Sequence, residues 1–394
     1  MAERVFLDWN AGAPLHPEAC AALIAALEVV GNPSSVHAEG RAARNLVETA
    51  REEVAALVGA APRNVTFTSG GSEANTLALT PHWQMGRETR PLGRLLVSAI
   101  EHPSVLAGGR FPTNAVGFLP VTPHGVVELA ALDDRLSVLR ADSGDTRPLV
   151  SIMHVNNETG VVQPIAAAAE RVHAAGGLLH VDAVQSAGRI ACEIDVLGAD
   201  LMTLSGHKIG APKGVGALVR RDAGLHLADP LVKGGGQERG FRAGTEAVAL
   251  ISAFGAAARA ARRDRERNAA AMVVLRDRLE GALKAGSPEL VVIGAEAARA
   301  PGTSLVALPG LKAETAVIAL DLAGFAVSSG SACSSGKVGA SHVLAAMGTP
   351  AALAASAVRV GLGPTTTEHH IDAFTTAWNT LARGLSREGR GIAA

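Results

Sequence analysis

The feature that most constrains the fold of this chain is an alternation. Apolar runs of strand length recur between stretches of helical periodicity through most of its 394 residues. A mainly parallel sheet covered by helices meets that pattern, because each parallel connection needs a crossover long enough to carry a helix. Strands are expected at 65–68, 95–99, 116–121, 149–155, 178–181 and 201–204. A run at 215–219 follows so closely that it is expected to turn back antiparallel. Upstream, the alanine-rich segment 17–27 reads as a helix, and Leu46, Val47, Ala50, Val54, Leu57 and Val58 recur at helical spacing before Gly59. Residues 245–284 are alanine-rich, charged and free of proline, which predicts one long helix bridging two domains. The boundary falls inside it, giving a large domain over 16–260 and a small one from 1–15 with 261–394. Strands at 291–293, 304–308, 325–328 and 358–362 then make the small domain α/β as well.

Composition narrows the function classes. The formal net charge is -1, so no electrostatic field draws the chain to nucleic acid or to an acidic membrane face. The N-terminal segment lacks a basic stretch followed by an apolar core, and the alanine-rich 253–261 is interrupted by Arg259, well short of a membrane span. Cys20, Cys192 and Cys333 form no CxxC pair, which argues against structural zinc and a disulfide framework. The expectation is a soluble, cytoplasmic protein with no metal. Tyrosine is absent, so a ring stacking on a cofactor must come from His, Trp or Phe.

The functional signal is strongest from His180 to Leu218. The segment HVDAVQSAG ends a strand at Asp182, and a second strand runs into Ser205, Gly206, His207 and Lys208. Together these suggest a pyridoxal phosphate site: a lysine amine for the Schiff base, a carboxylate for the pyridine nitrogen, and donors for the phosphate. Each residue alone also has an ordinary reading, since an Asp at a strand end often caps a helix and a Lys beside Gly and Pro is often solvated. Both, however, sit at the carboxyl ends of apolar runs, where open α/β sheets bind ligands.

Other strand ends add polar groups. Gly70, Gly71 and Ser72 open a helix and fit either a phosphate turn or a plain connection. His102 can stack on a ring or shuttle protons, or can cap a helix. Asn156 and Asn157 follow one run, Gln185 another. The glycine-rich 233–245 is either an exposed loop or a carrier of a phosphate contact from Arg242 or Thr245. In FAVSSGSACSSG, small residues surround Cys333, which suits a mobile nucleophile; Cys20 and Cys192 read as packing residues. Arg359, in an apolar strand, needs either an internal acid or a substrate carboxylate.

With LDWNAGAP, GNPSSVH, FTSGGSEAN, EHPSV, HVNNETGVVQPI, HVDAVQSAG, SGHKIGAPKGVGAL, GGGQERGFRAGT and SSGSACSSGKVGASHVL in this order, the chain resembles cysteine desulfurases of the nitrogen-fixation and housekeeping type. These lie in the class V aminotransferase family of fold-type I pyridoxal phosphate enzymes, and the resemblance spans nearly the whole chain. It implies that Lys208 carries the cofactor, Asp182 pairs with the pyridine nitrogen, and His102 stacks on the ring and moves protons. Asn157 and Gln185 would hold the ring hydroxyl. Gly71, Ser72, Ser205 and His207 would bind the phosphate, with Thr245 arriving from the partner in a homodimer. Asn32 and Arg359 would grip the substrate carboxylate. The implied reaction turns L-cysteine into L-alanine, leaving a persulfide on Cys333 for a sulfur acceptor such as an iron-sulfur scaffold protein. The chain departs from the usual pattern at Trp9, Gly12 and Ala13, where Tyr and two Thr are common, and at Gly71-Ser72 in place of Ala-Thr.

Two other readings compete. Transamination or selenocysteine cleavage can run on the same fold, though a transaminase has no use for a mobile thiol. A non-catalytic cofactor-binding protein would be expected to lack Lys208 or Cys333, and both are present.

Overall fold

The structure is a computed structural model that describes residues 4–86, 90–142, 146–330 and 341–391. Its larger sheet has seven strands in the spatial order Val65–Thr68, Gly216–Arg220, Leu201–Ser205, Leu178–Asp182, Arg147–Ser151, Leu92–Ser98 and Val116–Leu119. Gly216–Arg220 runs antiparallel to both neighbours, and the other pairings are parallel. The reversal expected near residue 215 therefore occurs. The link before it holds only the tight turn Gly206–Lys208 and a short loop, with no room for a crossover helix.

Helices on both faces bury the central strands, which is why these read as continuous apolar runs rather than alternating ones. Parallel alignment then brings the ends of several strands to one edge, with Asp182 paired across to Thr203 and Ser151 to His180. The strand expected over 149–155 stops at Ser151. Beyond it the chain still follows its neighbour, as Ile152 N donates to His180 O and His154 N to Asp182 O, but it curls into a loop closed by the Val155–Val162 bridge.

A second, antiparallel sheet has the order Val291–Val292, Thr303–Ala307, Ala357–Gly361, Ser328–Ser329. The single strand expected at 325–328 is instead two short ones. Phe325–Ala326 pairs in parallel with Val5–Phe6, and after Val327 the chain joins the antiparallel sheet. The long helix, Val248–Gly286, serves two cores along its length. Ile251, Phe254 and Ala257 pack under the large sheet, while Met272, Leu275, Leu279 and Leu283 pack with Val5, Leu7, Val306, Phe374 and Trp378.

The glycine-rich 233–245 is not a free loop throughout. Glu238 is buried and receives both terminal nitrogens of Arg51, at 2.7 and 2.9 Å, as well as the Phe67 amide at 2.9 Å. This bidentate pair holds Glu238 and Arg239 in the left-handed region, with φ of 46° and 56°. Among the described residues no helix is long and apolar enough to cross a membrane.

The long helix meets the helix Ala38–Leu57 backbone to backbone at Gly255. A Cβ there would stand 2.5 Å from Ala50 Cα, which cannot swing aside as a flexible side chain can. Gly255→Ala is therefore expected to destabilise the protein by about 2 kcal/mol, despite alanine's better helix propensity. Urea unfolding of both proteins checks this; equal midpoints would refute the close approach.

Candidate active site

At the carboxyl edge of the large sheet, a cavity of about 150 Å³ gathers side chains from five separate strand ends and from the second sheet. Gly71 and Ser72 line it from the first turn of the helix Gly71–Ala78, whose amides and dipole favour an anion. The fit is close at Gly71. A Cβ there would lie 3.2 Å from Val184 Cγ2 and 3.3 Å from Ser205 Cβ, so glycine lets this turn press against both neighbours.

Asp182 ends its strand 6% exposed. Its Oδ1 accepts from Val184 N at 3.0 Å and its Oδ2 from Asn75 Nδ2 at 2.9 Å. Asn75 lies one helical turn beyond Gly71, hence on the same face. Its amide also reaches Ser104 Oγ at 2.9 Å, and Ser104 Oγ lies 2.8 Å from His102 Nδ1. His102 is both the cap of the helix Pro103–Leu106 and a lining residue of the cavity, so its two readings coexist. The amide of Ser104 donates to Nδ1, which leaves the imidazole proton on Nε2. Burial lowers the His102 pKa, the Asp182 charge opposes that shift, and Lys208 and His342 add to it.

Lys208 ends the tight turn and donates from Nζ to the carbonyls of Asn10 at 2.6 Å and Ala11 at 2.9 Å. Ser205 Oγ lies 3.1 Å from His207 Nδ1. Burial, with Lys208, Lys213 and Arg189 nearby, pushes His207 down to about 4, so it is neutral at physiological pH.

Behind Asp182 the neighbours are also uncharged. Glu101 is fully buried, and burial followed by the Asp182 charge raises its pKa well above the carboxylate range, so it keeps its proton. It accepts the Met153 amide at 2.6 Å. His180 sits between Ser151 Oγ at 2.8 Å and Thr203 Oγ1 at 3.0 Å, and burial takes it to about 4.

The remaining candidates divide. Asn157 and Gln185 line the cavity. Arg359, 1% exposed, lines it too, and its Nη2 pairs with Asp8 Oδ1 at 2.8 Å while Nη1 donates to Asn157 O at 2.9 Å. The internal acid expected as one alternative is thus present, yet the buried Nε has no partner among the described residues.

The structure does not bring Asn32 or Thr245 to this cavity. Asn32 lies on an exposed turn where its Oδ1 caps the Ser34 amide at 2.8 Å. Thr245 is exposed and lines a separate depression beside Thr68 and Ser69. Arg242 is not open to a phosphate, because Glu73 Oε1 holds its Nε at 2.9 Å. Cys333 lies outside the described residues. Cys192 is buried and burial pushes its thiol up to about 12, as suits a packing residue.

Sequence reading missed Asn10, Asn75, Ser104 and Arg189. Asn75 carried the available signal, the four-residue step from Gly71; the others arrive through tertiary contact.

An α/β protein with lysine and aspartate on one cavity at the sheet's carboxyl edge has the architecture of a cofactor-dependent group-transfer enzyme. Residues 5–374 match the family model for aminotransferase class-V, and the chain belongs to that family. A cysteine desulfurase of Cereibacter sphaeroides is 41% identical over 376 residues, covering 94% of this chain and 93% of that protein. The X-ray structure of a NifS-like protein from Rickettsia africae is 33% identical, with a TM-score of 0.84 over 97% of this chain and all of that one. The structure of SspA in complex with cysteine is 29% identical, with a TM-score of 0.75 over 92% of this chain and all of that one.

Because Glu101 is already neutral, Glu101→Gln is expected to keep thermal stability within about 1 kcal/mol of the parent; a larger loss would show that a carboxylate is needed there. The neutral state of His180 contributes stability that is intact above pH 6.5 and is lost as pH falls toward 4, since the unfolded chain takes up the proton first. Between those limits, His180→Gln is expected to flatten the slope of unfolding free energy against pH by up to about 1.4 kcal/mol per unit. Equal slopes in the two proteins would mean that His180 titrates normally.

Proposed function

We propose that this protein is a pyridoxal phosphate-dependent cysteine desulfurase, converting L-cysteine to L-alanine and taking the sulfur onto Cys333 as a persulfide. The observation that carries the reading is the meeting of Lys208, Asp182 and a neutral His102 on one cavity. The donor set suits the cofactor: an amine to bond its aldehyde, a nearly buried carboxylate for its ring nitrogen, and the helix start at Gly71 and Ser72 with Ser205 and His207 for its phosphate. Asn157 and Gln185 would hold the ring hydroxyl. When bound, pyridoxal phosphate supplies an electron sink that weakens bonds at the substrate's α- and β-carbons.

The chain's own groups do the rest. The Asn75 and Val184 donors keep Asp182 oriented and acceptor-only toward the cavity. Lys208 removes and returns the proton at the substrate α-carbon, and its contact with two backbone carbonyls keeps the amine close by. His102, with its proton on Nε2, serves as an acid and stacking partner. The unpartnered Nε of Arg359 offers a donor to the substrate α-carboxylate; Asn32, held on an exposed turn by the Ser34 amide, does not reach that carboxylate within its own chain. The Cys333 thiolate attacks the substrate sulfur: an S–S bond forms, the C–S bond breaks, and the carbon keeps the electron pair and takes up a proton.

The exposed position of Thr245, away from its own chain's cavity, supports a role across a homodimer, at the phosphate of the second copy. The persulfide then passes to an acceptor such as an iron-sulfur scaffold protein. A small domain of residues 1–15 and 261–394 is supported by the core that joins Val5 and Leu7 to Met272 and Phe374.

The direct test is alanine release from L-cysteine with a thiol reductant, comparing the parent with Lys208→Ala and Cys333→Ala. Both variants are expected to lose at least about a hundredfold in rate, and Cys333→Ala should retain the visible absorbance of bound cofactor. Alanine formation that persists without Cys333 would exclude the persulfide route; none from the parent with cofactor bound would exclude cysteine as substrate.

A further inference from the structure

Arg189 has a setting that its position after the Gln185 turn does not explain. Among the described residues no carboxylate pairs with it. Its guanidinium donates instead to three uncharged oxygens: Gln185 Oε1 at 2.8 Å, the Trp9 carbonyl at 2.9 Å and, more weakly, the Lys208 carbonyl at 3.4 Å. These acceptors belong to three different segments, the N-terminal strap of residues 8–13, the turn after Asp182 and the turn that ends in Lys208. Burial and the neighbouring Arg359 push Arg189 down to about 10, which leaves it cationic at neutral pH. A half-buried cation without an acid still gives up part of its hydration, and the rigid fork of donors is what it supplies in return.

The effect on Gln185 is specific. An amide side chain can present either its oxygen or its NH₂ group to a given neighbour, and only the hydrogen-bond partners decide between them. A cation on one side fixes the oxygen there and turns the NH₂ group the other way. One of its N–H bonds is taken by the Asn10 carbonyl at 2.9 Å. The second remains for the cavity that Gln185 lines. The same fork fixes the Trp9 carbonyl, next to Asn10, whose own carbonyl accepts from both Gln185 and Lys208 Nζ. The indole of Trp9 lies against Gly363, where a Cβ would come within 2.0 Å of the ring, so the strap is held from both sides.

We propose that Arg189 is a positioning residue, which locks the Gln185 amide with an N–H facing the cofactor's ring hydroxyl and anchors the strap beside Lys208. The inference rests on the pyridoxal phosphate reading above. It has a spectroscopic consequence: a donor on the ring oxygen withdraws negative charge from beside the Lys208 nitrogen, which holds down the pH at which the bound cofactor's visible band titrates.

The experiment is a pH titration of that band in the holoprotein for the parent, Arg189→Met, Gln185→Leu and the double variant. Arg189→Met is expected to raise the midpoint by about half a unit to one unit. In the Gln185→Leu background the same substitution should add no shift, because the amide it acts through is gone. A purely structural role would lower thermal stability in both backgrounds without that dependence on Gln185. If Arg189→Met fails to fold, Arg189→Gln, which leaves a polar group in the same space, carries the same expectation. A midpoint equal to the parent's, or equal shifts in both backgrounds, overturns the inference. A parent with no visible band after incubation with pyridoxal phosphate overturns the cofactor reading itself, and this inference with it.

Discussion

Asp182 is a carboxylate at the end of a buried strand, held by two neutral donors and by no basic side chain among the described residues. Such a charge is tolerable only where its surroundings yield to it. Glu101 responds by retaining its proton, raised by burial first and then by the Asp182 charge, whereas burial lowers the pKa values of His180 and His102 against the pull of that charge. Among the described residues, Asp182 is thus the one carboxylate lining a cavity whose histidines are neutral and whose basic groups are Lys208 and Arg359. Under the proposed function this carboxylate would pair with a protonated ring nitrogen, and a second ionised carboxylate at Glu101 would compete with it.

The hydrogen bonds that orient this charge also connect the site. Asn75 bridges Asp182 to Ser104, and Ser104 sets the imidazole of His102, so the helix that opens at Gly71 is tied to both the carboxylate and the imidazole. Across the cavity the strap formed by residues 8–13 plays the matching part. Asp8 engages Arg359, the Trp9 carbonyl engages Arg189, the Asn10 carbonyl receives Gln185 and Lys208, and the Ala13 amide donates to the His207 carbonyl. Because the strap touches both sheets, it makes the cavity a joint product of the two cores.

The departures at the N-terminus and at Gly71-Ser72 find physical partners here. Trp9 packs where residue 363 has no side chain, and Gly71 sits where Val184 and Ser205 press closely on the backbone. Ser72 keeps a hydroxyl at the helix start. These substitutions are accommodated locally and leave Lys208, Asp182 and His102 on the same cavity.

Strand and helix positions were legible in the chain because they depend on local periodicity. The seven strands of the large sheet, the reversal near residue 215 and the long proline-free helix all appear as runs or repeats in the linear order. Lys208, Asp182 and His102 were legible for the same reason: each follows an apolar run, and parallel alignment carries such positions to one edge. The exact end of the strand near Ser151 and the break at Val327 were not, because there hydrogen bonding to distant neighbours overrides the local apolar pattern. By itself the sequence determined the architecture and the chemical types available at the sheet edge. Only the tertiary structure decided which of those groups meet, which are protonated and which way an amide such as Gln185 points. Contact, burial and field arise between residues far apart in the chain, and no local spacing encodes them.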